Sequence, residues 1–393
     1  MAARTRIYLD HNAGAPMRRQ VVECVRDLVG VTGNASSVHA EGRAARARIE
    51  AARADVAALA GVPAPQVTFT SGASEANVTA LSPVWRKGRG EQRFSRLLVV
   101  ASEHASVLSG GRFAKDNVET LAVDGEGVID LAALEARLGE LSSAGETVLV
   151  SVMAANNETG VIQPLAEVGR LVEAAGALLH VDAVQVAGRR FIDMEAWKAD
   201  SLSLSAHKIG GPQGAGALVT RQAGLKPLPL LTGGGQEHWD RAGTENVAAI
   251  AGFGVAASLA STELGTFGEI AALRDGLEQD VRHISGNAKV FGQGAERLAN
   301  TSCLALPGVS AETALIALDL DGVAVSSGSA CSSGKVGVSH VLTAMGVDEA
   351  LARCALRVSL GPATTRAEIE EFLAALRRIS DRVLGKTGAG RAA

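Results

Sequence analysis

The chain has 393 residues, enough for two domains and a large core. Hydrophobic residues make up 47% and charged residues 20%, while aromatics reach only 3%, so the core falls to Ala, Val and Leu. The net charge of −4 gives no general attraction to nucleic acid or to an anionic membrane, and no run of about 18 apolar residues marks a membrane span. Cys24, Cys303, Cys331 and Cys354 form no CxxC pair, which argues against a zinc site or a redox dithiol. The opening "MAARTRIYLD" carries no apolar signal region. A soluble cytoplasmic protein with reduced thiols is expected.

In chain order, "EGRAARARIEAARADVAALAG" (41–61) is helical, its arginines interleaved with Glu41, Glu50 and Asp55 as on a solvated face. "VTFT" (67–70) is a strand, and "SEANVTAL" opens a helix. "RLLVVAS" (96–102), "TVLVSVM" (147–153) and "ALLHVD" (177–182) are short continuous apolar runs that suit a sheet covered on both faces. Between them lie helical patterns such as "PLAEVGRLVEAAG", which starts at Pro164 and stops at Gly176. "SLSLSAHKIGGPQGAGALVT" (201–220) reads as strand, polar turn and strand, its serines alternating with Leu202, Leu204 and Ala206. This alternation of β and α predicts an α/β fold with a mainly parallel sheet between helices, and ligand sites at the carboxyl ends of its strands. From about residue 256 the pattern shifts to long helices. "STELGTFGEIAALRDGLEQDVRHI" reads as one connecting helix and "TRAEIEEFLAALRRISDRVLG" (365–385) as a terminal amphipathic one. A large domain over 15–255 is therefore expected, with a smaller α+β domain from 1–14 and 256–385 and a disordered tail over 386–393.

Three polar clusters follow strand-like runs. "SGASEAN" (71–77) is either an ordinary N-cap or an anion site at a helix N-terminus. Asp182 ends an apolar strand, where a carboxylate needs a partner, through a cap, a salt bridge or a ligand. Lys208, beside His207 and followed by glycines, is either a surface lysine or one with room for a planar ligand. Together, a phosphate cradle, a buried acid and a strand-end lysine are what pyridoxal 5′-phosphate (PLP) requires. Cys331 lies in a Gly/Ser-rich stretch that reads as an exposed loop, either incidental or reactive.

From "YLDHNAGAP" to "RVSLG" (357–361) the chain resembles the cysteine desulfurases of iron–sulfur cluster assembly, a class V aminotransferase-type family of fold-type I PLP enzymes. The resemblance rests on "GNASSVH", "SGASEAN", "SEHASV", "ANNETG", "HVDAVQ", "SAHKIGGPQGAGAL", "RAGTENV" and "SSGSACSSG", in that order. It implies a large domain with a sheet of the seven-stranded type. It also implies Lys208 as the Schiff-base lysine, Asp182 as the partner of the pyridine nitrogen, and Gln185 and Asn157 near the ring oxygen, Asn157 also near the substrate. His104 would stack on the ring and transfer protons. Ala73, Ser74, Ser205 and His207 would cradle the phosphate, joined from the neighbouring subunit of a homodimer by Thr244. Arg357 would bind the carboxylate of L-cysteine. Cys331 would take the sulfur as a persulfide for an acceptor such as an iron–sulfur scaffold protein. No metal is implied. Two stretches depart from the family pattern: Gly14 and Ala15 replace two threonines, and His238 and Trp239 stand in "GGGQEHW" where "GGGQERG" is usual. The glycine-rich cysteine loop argues against an aminotransferase, and the intact Lys208, Asp182 and His104 argue against a non-catalytic sulfur-relay subunit. A selenocysteine lyase remains an alternative.

Overall fold

The computed structural model describes residues 6–328 and 337–389. Cys331 therefore lies outside the described residues.

The central sheet has seven strands in the spatial order Val67–Thr70, Gly216–Thr220, Ser201–Ser205, Leu178–Asp182, Val148–Met153, Arg96–Val100 and Val118–Leu121. Gly216–Thr220 runs antiparallel to both neighbours and the remaining pairs are parallel. The continuous apolar runs have their expected cause in burial on both faces. Leu98, Val100, Val150, Val152, Leu179 and Val181 join a cluster that includes Val56, Phe253, Ala256 and Ala257 of the flanking helices. The alternate residues Leu97, Val99 and Leu149 join another cluster around Trp85 and Leu81. In "SLSLS" all five residues are buried. The period of two separates leucines that face the first cluster from serines on the other face, where Ser201 and Ser205 meet polar groups.

A separate cluster lies towards the C-terminal part of the chain. The antiparallel strands Lys289–Val290, Thr301–Ala305 and Ala355–Ser359 pack there with the helices Phe267–Ile284 and Arg366–Ala389. The first strand, Ile7–Tyr8, pairs in parallel with Val323–Ala324, so Ile7 and Leu9 enter this cluster from the opposite end of the sequence.

The structure departs from several expectations. The connecting helix is broken. Val247–Thr262 and Phe267–Ile284 flank a tight turn at Leu264–Thr266, and the path bends by 51° there. Gly265 in this turn weakens helix continuation. The terminal helix runs past 385, to Ala389. The helix Ala40–Ala60 is not solvated along all its arginines. Arg53 is 2% exposed and ion-paired with Glu237 at 2.6 Å. Of the cysteines assigned to the core, Cys303 and Cys354 are buried, whereas Cys24 is only half-buried on the helix Arg19–Val29.

Candidate active site

Every polar cluster singled out in the large sheet sits just past the carboxyl end of a strand. Ser71 and Gly72 follow Val67–Thr70, His104 follows Arg96–Val100, Asn157 follows Val148–Met153, and Asp182 and Ser205 end their own strands. They line one cavity of about 500 Å³. Ala73, Ser74, His104, Asn157, Asp182, Gln185, Ser205, His207, Lys208 and Arg357 all border it. Thr244 does not; it is exposed on a separate stretch of the chain.

One wall is the start of the helix Ala73–Ala80, preceded by Gly72. The first-turn N–H groups of a helix have no intrahelical acceptor and carry its positive end, so they favour an anion. The wall depends on close backbone packing. A Cβ on Gly216 would stand 2.5 Å from the carbonyl carbon of Gly72 and 2.8 Å from the oxygen of Leu204. Beside this wall, Ser205 Oγ and His207 Nδ1 are 2.9 Å apart. Burial, with Lys208 adding to it, pushes His207 down to about 4, so its ring is neutral at pH 7.

Asp182 accepts from Val184 N–H at 3.0 Å and from Asn77 Nδ2–H at 2.8 Å. Glu103, fully buried nearby, has its carboxyl held well above the usual range, by burial first and then by Asp182. Lys208 donates from Nζ to the carbonyls of Asn12 and Ala13, the latter at 3.0 Å. Gln185 donates from Nε2 to Asn12 O at 3.2 Å and accepts at Oε1 from Arg189. That guanidinium fixes the orientation of the Gln185 amide, because a donor can only face the oxygen end. Arg357 donates to Asn157 O at 3.0 Å and to Asp10 Oδ1 at 2.8 Å, while its buried Nε–H has no partner among the described residues.

The class V aminotransferase family matches residues 7–372. The cysteine desulfurase of Cereibacter sphaeroides is 40% identical over 385 residues, covering 96% of both chains. The chain belongs to the class V aminotransferases, in their cysteine desulfurase family. Among solved structures, a NifS-like protein from Rickettsia africae has a TM-score of 0.86 at 35% identity, covering 96% of this chain and 100% of that one. A structure of SspA in complex with cysteine has a TM-score of 0.72 at 27% identity, covering 92% of this chain and 100% of that one. Cysteine desulfurases of this family are PLP-dependent.

Sequence reasoning quoted several residues in or behind this cavity without giving them a part. Asn77 closes "SGASEAN", and it touches Asp182. Asn12 and Asp10 belong to the opening motif; Asn12 is fully buried and Asp10 lies against Arg357. His180 is fully buried two residues before Asp182, on the same face of the strand. The period of two was the available signal for His180. Asn77 could not be paired with either group without the register of the sheet.

Proposed function

We propose that this chain binds PLP in the cavity and converts L-cysteine to L-alanine, passing the sulfur to Cys331 as a persulfide. The observation that carries this is the convergence, in one cavity, of a helix N-terminus, the Asp182 carboxylate and the Lys208 amine. These groups fit PLP: a phosphate suits Ser74, Ser205, His207 and the first turn Ala73–Ser74; a protonated ring nitrogen suits Asp182; a ring oxygen suits the Gln185 and Asn157 side chains. When bound, the cofactor supplies an electron sink at the substrate carbon.

The residues do the rest. Lys208 Nζ, presented by the carbonyls of Asn12 and Ala13, would hold the cofactor. The same amine would take the proton from the substrate Cα and later return it there. Arg357 binds the substrate carboxylate. Asp10 and Asn157 O fix the plane of its guanidinium. A buried donor left unmatched costs about 1–3 kcal/mol, so the Nε–H gains most from an arriving anion. The Cys331 thiolate attacks the substrate sulfur. The S–S bond forms, the C–S bond breaks with its electron pair left on Cβ, and a proton taken up at Cβ together with the return of the Cα proton from Lys208 completes alanine.

The same reading takes the chain as a cytoplasmic homodimer that hands sulfur to an acceptor protein such as an iron–sulfur scaffold. The exposed Thr244 of one protomer would reach the phosphate of its partner. Exposed Leu230 and Leu231 in the same region support a covered surface there. The two-domain division at 15–255 and at 1–14 with 256–385 is supported by the separate hydrophobic clusters.

The test incubates the protein with cysteine, PLP and an excess of a dithiol reductant, which frees the persulfide sulfur as sulfide, and measures sulfide and alanine together. The parent chain should form both. Cys331→Ser should bind PLP and cysteine yet yield neither, and Lys208→Ala should lose turnover. Undiminished alanine and sulfide from Cys331→Ser would remove Cys331 from the reaction.

A further inference from the structure

The polar wall between Asp182 and His104 forms one continuous chain of hydrogen bonds. Ser201 Oγ and His180 Nδ1 are 2.8 Å apart, and His180 Nε2 lies 3.0 Å from Asn77 Oδ1. Asn77 Nδ2 donates to Asp182 Oδ2 at 2.8 Å and to Ser106 Oγ at 3.0 Å. Ser106 Oγ lies 2.8 Å from His104 Nδ1, and Ser106 N–H donates to that same nitrogen at 3.2 Å.

The donors and acceptors along this chain leave one consistent assignment. Asp182 accepts at both oxygens, so the neighbouring end of Asn77 is its NH₂. The oxygen of Asn77 then faces His180, whose Nε2 must carry the proton, and His180 Nδ1 accepts from the Ser201 hydroxyl. On the other branch, Ser106 Oγ receives a hydrogen from Asn77 and is left to donate its own to His104. Two donors thus converge on His104 Nδ1, one from the Ser106 hydroxyl and one from its backbone. That nitrogen carries a lone pair, and the proton of the neutral ring sits on Nε2. Both rings are neutral in this scheme. Burial pushes His180 down to about 3; burial also lowers His104, Asp182 opposing it and Lys208 and His340 reinforcing it.

We infer that Asn77 is a positioning residue that links the Asp182 carboxylate to His104 through Ser106 and holds the His104 ring in its Nε2–H tautomer. His104 Nδ1 is occupied by two donors, so Nε2 is the position left to exchange a proton within the cavity. On the desulfurase reading proposed above, on which this consequence rests, neutral His104 enters the reaction as a proton donor and becomes a base only after it has given that proton away. The link also ties the two groups predicted to flank the cofactor ring, one at its nitrogen and one at its face, through a single amide.

The tautomer can be read directly. The full chain, with and without PLP, is grown with ¹⁵N-labelled histidine, and the couplings of the ring protons to Nδ1 and Nε2 are measured by NMR. His104→Gln identifies the resonances among the eight histidines. The parent should show a protonated Nε2 and an unprotonated Nδ1 for His104. Ser106→Ala cuts the link while leaving Asn77 between Asp182 and His180. It should lower the Nε2–H to Nδ1–H ratio roughly fivefold, the factor one hydrogen bond of ordinary net strength sets. The preference should not invert, because the Ser106 N–H remains. Ser106→Thr, which keeps the hydroxyl, should restore the parent ratio, and Asp182→Asn should lower it as Ser106→Ala does. A proton on Nδ1 in the parent would overturn the inference. So would a ratio unmoved by both Ser106→Ala and Asp182→Asn. The readout needs no sulfide: an inactive chain with the proton on Nε2 leaves the tautomer standing and counts only against the desulfurase reading.

Discussion

His180 offers the most quantitative test of the buried network, because its ring is fully buried and its proton affinity is set by that burial. The ring has no exposed surface, and burial moves it from 6.5 to about 3. The unfolded chain therefore binds a proton at His180 below pH 6.5, whereas the folded chain resists one until about pH 3. Stability from the neutral ring is fully present above pH 6.5 and drains away as the pH falls toward 3. With each pH unit of this imbalance at about 1.4 kcal/mol, acidification from about pH 7 to about pH 5 should remove about 2 kcal/mol through this residue alone. His180→Gln removes the titration and keeps an amide able to donate toward Asn77 Oδ1 and accept from Ser201. The assay is urea unfolding followed by circular dichroism, for parent and variant at one protein concentration, at several pH values across that window. The parent should lose about 2 kcal/mol more than the variant between the two ends. Parallel pH profiles, agreeing within about 0.5 kcal/mol, would show that His180 is not buried as a neutral ring.

Other substitutions probe the cavity and its supports. Asp182→Asn keeps the shape but not the charge; turnover should fall about ten- to a hundredfold, the equivalent of a lost charged hydrogen bond at about 1.5–3 kcal/mol, and PLP should dissociate faster in a spectroscopic release assay. Full turnover in that variant would remove Asp182 as the charge partner of the ring. Glu237→Ala leaves Arg53 buried without its bidentate partner, which should cost about 3–5 kcal/mol of stability in denaturant; a cost below about 1 kcal/mol would mean that the pair is hydrated. Trp239 has a φ of 71° and its side chain is 70% exposed. Trp239→Gly should raise stability by about 0.5–1 kcal/mol, the left-handed cost relieved less the added freedom of glycine in the unfolded chain. Thermal destabilisation of that variant would instead show that the indole supports the turn.

What was legible in the sequence follows from the range of the physics involved. Val148–Met153 and Leu178–Asp182 declare themselves because a strand buried on both faces must be apolar throughout. Most of the cavity residues could be gathered because they lie at a strand end of the central sheet or in the turn after it, so short motifs carry their positions; Arg357, in the middle of Ala355–Ser359, comes from another sheet. Asn77 is different. Its contact with Asp182 spans 105 residues, and its value lies in an amide orientation that only the assembled network sets. Arg53 was read as a solvated charge because Glu41, Glu50 and Asp55 are interleaved with the arginines of its stretch, and Glu237, its buried partner, is 184 residues away. The left-handed run Glu237, His238 and Trp239 was visible only as a departure from the family pattern. The structure supplies part of its meaning: glycine is usual at position 239 because that backbone is left-handed, and here tryptophan occupies the same conformation.

The opening motif has a larger part than its distance from the central sheet suggests. Ile7–Tyr8 is fixed to Val323–Ala324, and Leu9 accepts a hydrogen bond from Ser359 N–H at 2.8 Å, which ties the segment to the second hydrophobic cluster. Three residues after Leu9 the same segment reaches the cavity: Asn12 O accepts from both Lys208 Nζ and Gln185 Nε2, and Ala15 N–H donates to His207 O at 2.8 Å. Asp10, between these anchors, holds Arg357. The group that holds the cofactor and the group that receives the substrate carboxylate, as proposed, are therefore placed by residues only two apart on one strand of backbone. Chain geometry, with successive Cα atoms at about 3.8 Å, thus ties the two groups together, alongside the bond from Arg357 to Asn157 O. The replacement of the usual threonines falls just past this point. A Cβ on Gly14 would meet His207 Cδ2 at 3.8 Å, an ordinary contact, so crowding does not require glycine there. The segment thus tolerates a change beside the cavity because its register is already fixed upstream, by the Val323–Ala324 pairing, the Ser359 bond and the Arg357 ion pair.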